Sequence, residues 1–125
     1  MRYGAGRSLR IKRGGEISRL FQSGRRARDR RLTLLGRRRA DGEALPARVG
    51  VGVSARHGGA VARNRIKRLC REAFRLTRGE LPAGWDYMML PRPGARFTLA
   101  GLQESLRRLA PRVAAAAARE NEREK

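Results

Sequence analysis

Residues 60–74, AVARNRIKRLCREAF, constrain this chain more than any other stretch, because only a helix satisfies their two opposed demands. Ile66, Leu69, Cys70, Ala73 and Phe74 recur at the three- and four-residue spacing of a buried stripe. Arg63, Asn64, Arg65, Lys67, Arg68 and Arg71 therefore project from the remaining flanks. One side packs against protein, and the other is built to meet a polyanion. The whole chain points the same way: 31 Lys and Arg against 11 Asp and Glu give a formal net charge of +20. Such a charge repels itself in a compact state unless a partner neutralises it, and nucleic acid is the natural partner. The excess of Arg over Lys supplies planar, multi-donor groups for phosphate forks and base stacking, although high-GC coding bias produces the same preference.

At 125 residues the chain is one ordinary domain, since smaller pieces would not bury a core unaided. The single Cys70 excludes an intramolecular disulfide framework, and its place in the apolar stripe reads as a small core residue in a reducing, cytoplasmic setting. Residues 1–13 are charged without an apolar export segment, and the longest apolar run, residues 113–118, is far too short to span a bilayer. Neither export nor membrane insertion is expected.

Along the chain, residues 1–8 are Gly- and Arg-rich without periodicity and predict a mobile basic arm. A short helix follows from Gly14 or Gly15, with Ile17, Leu20 and Phe21 on one face and a stop at Ser23-Gly24. Residues 25–31 allow a short edge strand, and residues 32–35 a better one. Residues 37–45, with Asp41-Gly42, form a turn. Strict alternation over residues 48–54 predicts a strand with Val49, Val51 and Val53 on one face and Gly50 and Gly52 on the other. The plain reading of those glycines is close approach of a helix or a bulge; the functional one is close approach of RNA. The basic helix spans about residues 61–77 and ends near Gly79. Residues 85–90 are a strand closed by Pro91 and Pro93, and Thr98 is the N-cap of a last helix carrying Leu99, Leu102, Leu106, Leu109 and Val113. Pro111 is expected to weaken or kink that helix, leaving residues 114–125 as a frayed Ala-rich, charged tail. The order of elements predicts a single-domain α+β sandwich, a sheet of about four strands packed with three helices.

Protein-based catalysis is poorly supported. His57 is the only histidine and reads as a solvated loop residue, with no second His or Cys for a zinc site or a nucleophile-base pair. Glu120, Glu122 and Glu124 read as a solvated tail, and Gly58-Gly59 lacks the Gly-Lys-Ser/Thr that completes a phosphate-wrapping loop. No catalytic or metal-ligating set emerges. Asn64 stands out, because a neutral amide between two arginines suggests a specific hydrogen bond rather than charge alone.

The order Arg63-Asn64-Arg65, one residue, then Lys67-Arg68, flanked by Ala60-Val61 and Glu72-Ala73-Phe74, resembles the RNR signature of the bacterial ribonuclease P protein family. Ile11-Lys12-Arg13 with Glu16, Phe21 and Gly24 resembles that family's first helix, and residues 48–54 and 86–92 resemble its central and last strands. The resemblance spans residues 9–109, within a domain drawn at 9–113. It implies an αβββαβα arrangement with a left-handed β-α-β crossover, where pattern alone suggests the common right-handed form. It implies a protein subunit without a catalytic centre of its own: the RNA subunit and its magnesium ions cleave precursor tRNA, and no organic cofactor or obligate protein partner is called for. The implied partners are that catalytic RNA and precursor tRNA. By motif position, Arg63, Asn64, Arg65, Lys67, Arg68 and Arg71 bind RNA, and a cleft formed by Ile17, Phe21, Thr33 and Leu35 receives the single-stranded 5′ leader. Only one of those four is aromatic. Since ring stacking contributes about 1 to 3 kcal/mol per base, this implies a more apolar and electrostatic groove. Ala55-Arg56 also departs from the consecutive basic residues common there.

Three alternatives remain. A basic ribosomal protein or RNA chaperone of similar fold would bind RNA without promoting cleavage. A DNA-binding module would need a helix-turn preceding its recognition helix, and a self-sufficient metal-dependent nuclease would need clustered carboxylates.

Overall fold

The computed structural model describes residues 10–11, 14–39 and 46–124, with side chains as far as Arg119. The predicted basic arm and the Asp41-Gly42 turn lie outside the described residues. The elements are α1 (Gly14–Ser23), β1 (Arg25–Arg28), β2 (Leu32–Arg38), β3 (Arg48–Val51), α2 (Ala60–Thr77), β4 (Trp85–Pro91) and α3 (Leu99–Glu124), the αβββαβα order. The sheet runs β1-β2-β4-β3, with β2 antiparallel to β1 and β4, and β3 parallel to β4.

Alternation along the strands sorts side chains between two unequal faces. Leu32 and Leu34 of β2, Tyr87 and Met89 of β4 and Val49 of β3 face a core completed by Phe74 of α2 and by Leu102, Leu106, Leu109 and Val113 of α3. Each such side chain stabilises the fold by about 1.5 to 3 kcal/mol. On the other face, Ile11, Leu20, Leu35 and Met88 form a smaller cluster beneath α1. A helix of 10 residues cannot roof a four-stranded sheet, so part of this face stays open.

The β1–β2 turn is set by Asp29, whose Oδ1 accepts the backbone N–H groups of Arg31 at 2.9 Å and Leu32 at 3.0 Å. Burial alone would raise the Asp29 pKa, but its hydrogen bonds to Ser105, Arg31 and Leu32 outweigh that and hold the carboxyl below its ordinary range.

Besides β3 ending at Val51, short of the expected Ser54, three expectations change in the folded chain. First, α3 runs unbroken from Leu99 to Glu124 through Pro111. Thr98 does cap it, its Oγ1 accepting the Gly101 N–H at 3.0 Å. Leu102, Leu106, Leu109, Ala110 and Val113 are fully buried on both sides of the proline, and Ala114 and Ala117 pack against the core. Burial on this scale outweighs the ~3 kcal/mol penalty of an interior proline. Gly36 lets the helix sit that low: a Cβ there would lie 2.7 Å from Val113 Cγ1 and 3.0 Å from the Tyr87 ring. Second, neither a helix nor a bulge covers Gly50 and Gly52. Their neighbours on β4 do, since added Cβ atoms would meet Met88 Sδ at 2.7 Å and Leu90 Cδ2 at 2.9 Å. Third, His57 is not a solvated loop residue: its Nε2 lies 2.9 Å from the Pro91 carbonyl oxygen and its ring 5.8 Å from that of Phe97.

Candidate nucleic-acid interface

The apolar stripe of α2 seats it as its spacing predicts. Cys70, Ala73, Phe74 and Thr77 are buried, and Ile66 and Leu69 are partly so. Burial pushes the Cys70 thiol up to about 12, against the opposing charge of Arg71, so this cysteine is an inert core residue.

The cationic residues fall in rows around the rest of the helix. Arg63, Lys67 and Arg71 are half-buried along one flank, Asn64 and Arg68 are exposed along the next, and Arg65 is exposed beyond them. Like charges four residues apart oppose helix formation by about 0.2 to 0.5 kcal/mol per pair, a small cost that an anion bound along this row would remove. The helix start adds to the effect. Its N-cap is Gly59 without a capping side chain, and its first turn holds no acidic residue, so no side chain there offsets the positive end of the helix dipole. The Nε of Arg63 is buried with no hydrogen-bond partner among the described residues. Glu72, the carboxylate on this side, is taken up by Arg75 at 2.5 and 3.0 Å. Val61, Asn64, Arg65, Arg68, Leu69 and Glu72 enclose a shallow hollow of about 520 Å³.

Sequence reasoning missed one member of this surface. Arg10 pairs with Val49 beside β3, where the Ile11 N–H donates to the Val49 carbonyl at 3.1 Å. Burial first, and then the charge of Arg10, lower the pKa of Arg71. The charge of Arg10, from a segment separate from α2, thus acts on Arg71, and a bound phosphate would offset it.

The second surface is the open face of the sheet beside α1. The register places Arg28, Thr33 and Leu90 in one row and Arg26, Leu35 and Met88 in the next. The four predicted cleft residues are brought to this face but at different depths. Phe21 is 46 % exposed at the rim, Ile17 and Thr33 are half-buried, and Leu35 is 0 % exposed. Leu35 therefore cannot touch a ligand as expected: packed among Leu20, Ile11 and Met88, it is the floor of the cleft. Arg26 and Arg28, exposed on β1, supply the rim on the opposite side, and alternation with the core-facing Ala27 was the signal that could have found them.

An ion network holds α1 at this angle. Arg48 donates from Nε to Asp86 Oδ1 at 2.9 Å, and from Nη2 to Asp86 Oδ2 at 2.8 Å and Glu16 Oε2 at 2.7 Å. Arg39 Nη1 donates to Asp86 Oδ1 at 2.9 Å. The Asp86 hydrogen bonds are the main cause of a raised Arg48 pKa, against the effect of burial. The network joins α1 to β3 and β4, so cleft width depends on it.

Among the described residues no group of three or more His, Cys, Asp or Glu side chains is placed to hold a metal ion, and no helix is long and apolar enough to cross a membrane. The arrangement can bind and orient a polyanion on α2 and an extended strand in the cleft.

Comparison with known proteins gives the family. The family model for ribonuclease P matches residues 6–114. The ribonuclease P protein component of Brevibacillus brevis is 37% identical over 101 residues, covering 80% of this chain and 79% of that protein. That of Desulfovibrio desulfuricans is 40% identical over 94 residues, 75% of this chain and 72% of the relative. Among solved structures, the RNase P protein of Thermotoga maritima superposes with a TM-score of 0.68 at 27% identity, over 78% of this chain and 90% of that one. The Staphylococcus aureus RNase P protein gives 0.67 at 27% identity, over 89% and 96%. With motif, fold and relatives in agreement, the chain belongs to the bacterial ribonuclease P protein family.

Proposed function

We propose that this chain performs its part in ribonuclease P by holding RNA on two surfaces. Its family role is that of the protein subunit of an endoribonuclease acting in tRNA 5′ processing. In this reading Arg63, Asn64, Arg65, Lys67, Arg68 and Arg71 grip the catalytic RNA through phosphates and 2′-hydroxyls, with Arg10 extending the row. Phe21, Ile17 and Thr33 receive the precursor's 5′ leader over the floor made by Leu35, and Arg26 and Arg28 replace stacking rings with guanidiniums. Magnesium is held by the RNA, which carries the cleavage chemistry in the cytoplasm, while the protein positions substrate.

The observation that carries this reading is α2 itself. Its apolar stripe is committed to the core, while its one carboxylate, Glu72, is taken by Arg75, which leaves the cationic row without a paired carboxylate among the described residues. Binding should therefore depend steeply on salt. If about six phosphates are neutralised, log affinity for the catalytic RNA falls against log salt with a slope of about −5 for duplex contacts or about −4 for single strands. Filter binding across a salt series reads the slope, and a flat response contradicts the phosphate assignment.

A further inference from the structure

A second basic feature lies outside both surfaces, where β1 turns into β2 and β4 leaves for α3. An open trough of about 700 Å³ is lined there by Arg30, Arg31, Arg92 and Arg96 with the turn around Gly94. Two of these guanidiniums are braced by the fold. Arg31 Nη1 donates to the Gly101 carbonyl at 2.9 Å and to Ser105 Oγ at 3.0 Å, and Arg92 Nη1 donates to the Asp29 carbonyl at 3.1 Å. The other two, Arg30 and Arg96, are exposed and form no hydrogen bond or ion pair among the described residues.

The local charge is not balanced from within. Asp29 and Glu104 are the neighbouring carboxylates, and both are engaged by Arg108, with Glu104 also 3.8 Å from Arg31 Nη2. Five guanidiniums, counting Arg108, thus face two carboxylates. Gly94 takes φ +84°, and a Cβ there would meet nothing within 4 Å, so the backbone turn leaves the trough open above the arginines. The wall is stiffened from the α2 side, because Phe97 lies against His57, which in turn sits on the Pro91 carbonyl. An open trough with braced and free arginines suits a ligand with several anionic oxygens at fixed spacing.

We propose that this trough is a third RNA-binding element, a clamp for backbone phosphodiesters in which Arg30 and Arg96 close on phosphates presented over Arg31 and Arg92. It rests on the reading of the chain as an RNA-holding subunit. The phosphates come either from the catalytic RNA or from the precursor.

The test uses the reconstituted holoenzyme carrying Arg30→Ala and Arg96→Ala together; both side chains are exposed and unpaired, so the melting temperature stays at the wild-type value. Affinity is measured for the catalytic RNA, for precursor tRNA with a short and with a long leader, and for mature tRNA. One affinity is expected to fall about tenfold, with a salt slope shallower by about 1 to 2. Weaker assembly assigns the phosphates to the catalytic RNA; loss with the long leader alone assigns them to the leader; loss shared by mature tRNA assigns them to the tRNA body. The Arg30→Lys, Arg96→Lys pair keeps the slope but recovers only part of the affinity, since an ammonium lacks the fork. If every affinity stays within about twofold of wild type, there is no clamp. The same insensitivity in a variant lacking Arg63, Asn64 and Arg65 would remove the underlying RNA-holding reading as well.

Discussion

Replacing Arg63, Asn64 and Arg65 together by alanine is expected to weaken binding to the catalytic RNA by about a hundredfold while leaving the fold in place. Asn64 and Arg65 are exposed, and Arg63 is half-buried with its Nε unpartnered among the described residues. Little native structure depends on them. Alanine has the higher helix propensity, and losing Arg63 relieves its repulsion with Lys67, so the change in folding stability should stay within about 1 kcal/mol. Affinity loses more. Two guanidiniums and one amide leave the interface, and the salt slope should become shallower by about 2. Isothermal titration beside a denaturant melt separates the effects. Unchanged affinity would show that α2 is not the RNA surface, and unfolding would show that the motif is structural.

The second large effect is on stability. Asp86→Ala removes the carboxylate on which Arg39 and Arg48 converge, and the side chains of Arg39 and Asp86 are each only 10% exposed. Taking one partner out of a buried ion network leaves guanidiniums short of their counter-charge, at a loss of about 3 to 5 kcal/mol. Against a typical domain stability of about 5 to 15 kcal/mol, this is severe, and the net charge of +20 aggravates it. Arg48, no longer fixed by Asp86, then holds α1 less firmly through Glu16, so the cleft should loosen before the main core melts. Urea unfolding should place the variant at least about 3 kcal/mol below wild type, with hydrogen exchange in α1 rising first. A loss under about 1 kcal/mol would mean that the network is a surface ornament.

How much of this was legible beforehand depended on whether the information was local. The two faces of α2 could be read because the apolar stripe and the cations interleave at helical spacing within one segment. The Thr98 cap and the edge position of β1 are local for the same reason. Depth in the cleft is not local. Phe21 and Leu35 come from different elements, and only packing decides that the leucine becomes the floor and the phenylalanine the rim. The Arg48–Asp86 pair joins strands that a single sequence does not align, and Gly36 matters only because α3 settles on it. Pro111 misled for a complementary reason: its local penalty is real, but the burial of Leu109, Ala110 and Val113 overrides it.

The central claim is that this protein supports a reaction whose chemistry lies in RNA. The most direct measurement is cleavage of precursor tRNA at low magnesium by the catalytic RNA alone, the protein alone and the two together. The account predicts efficient leader release only from the mixture. Release by the protein alone, or a mixture no faster than the RNA by itself, would contradict it.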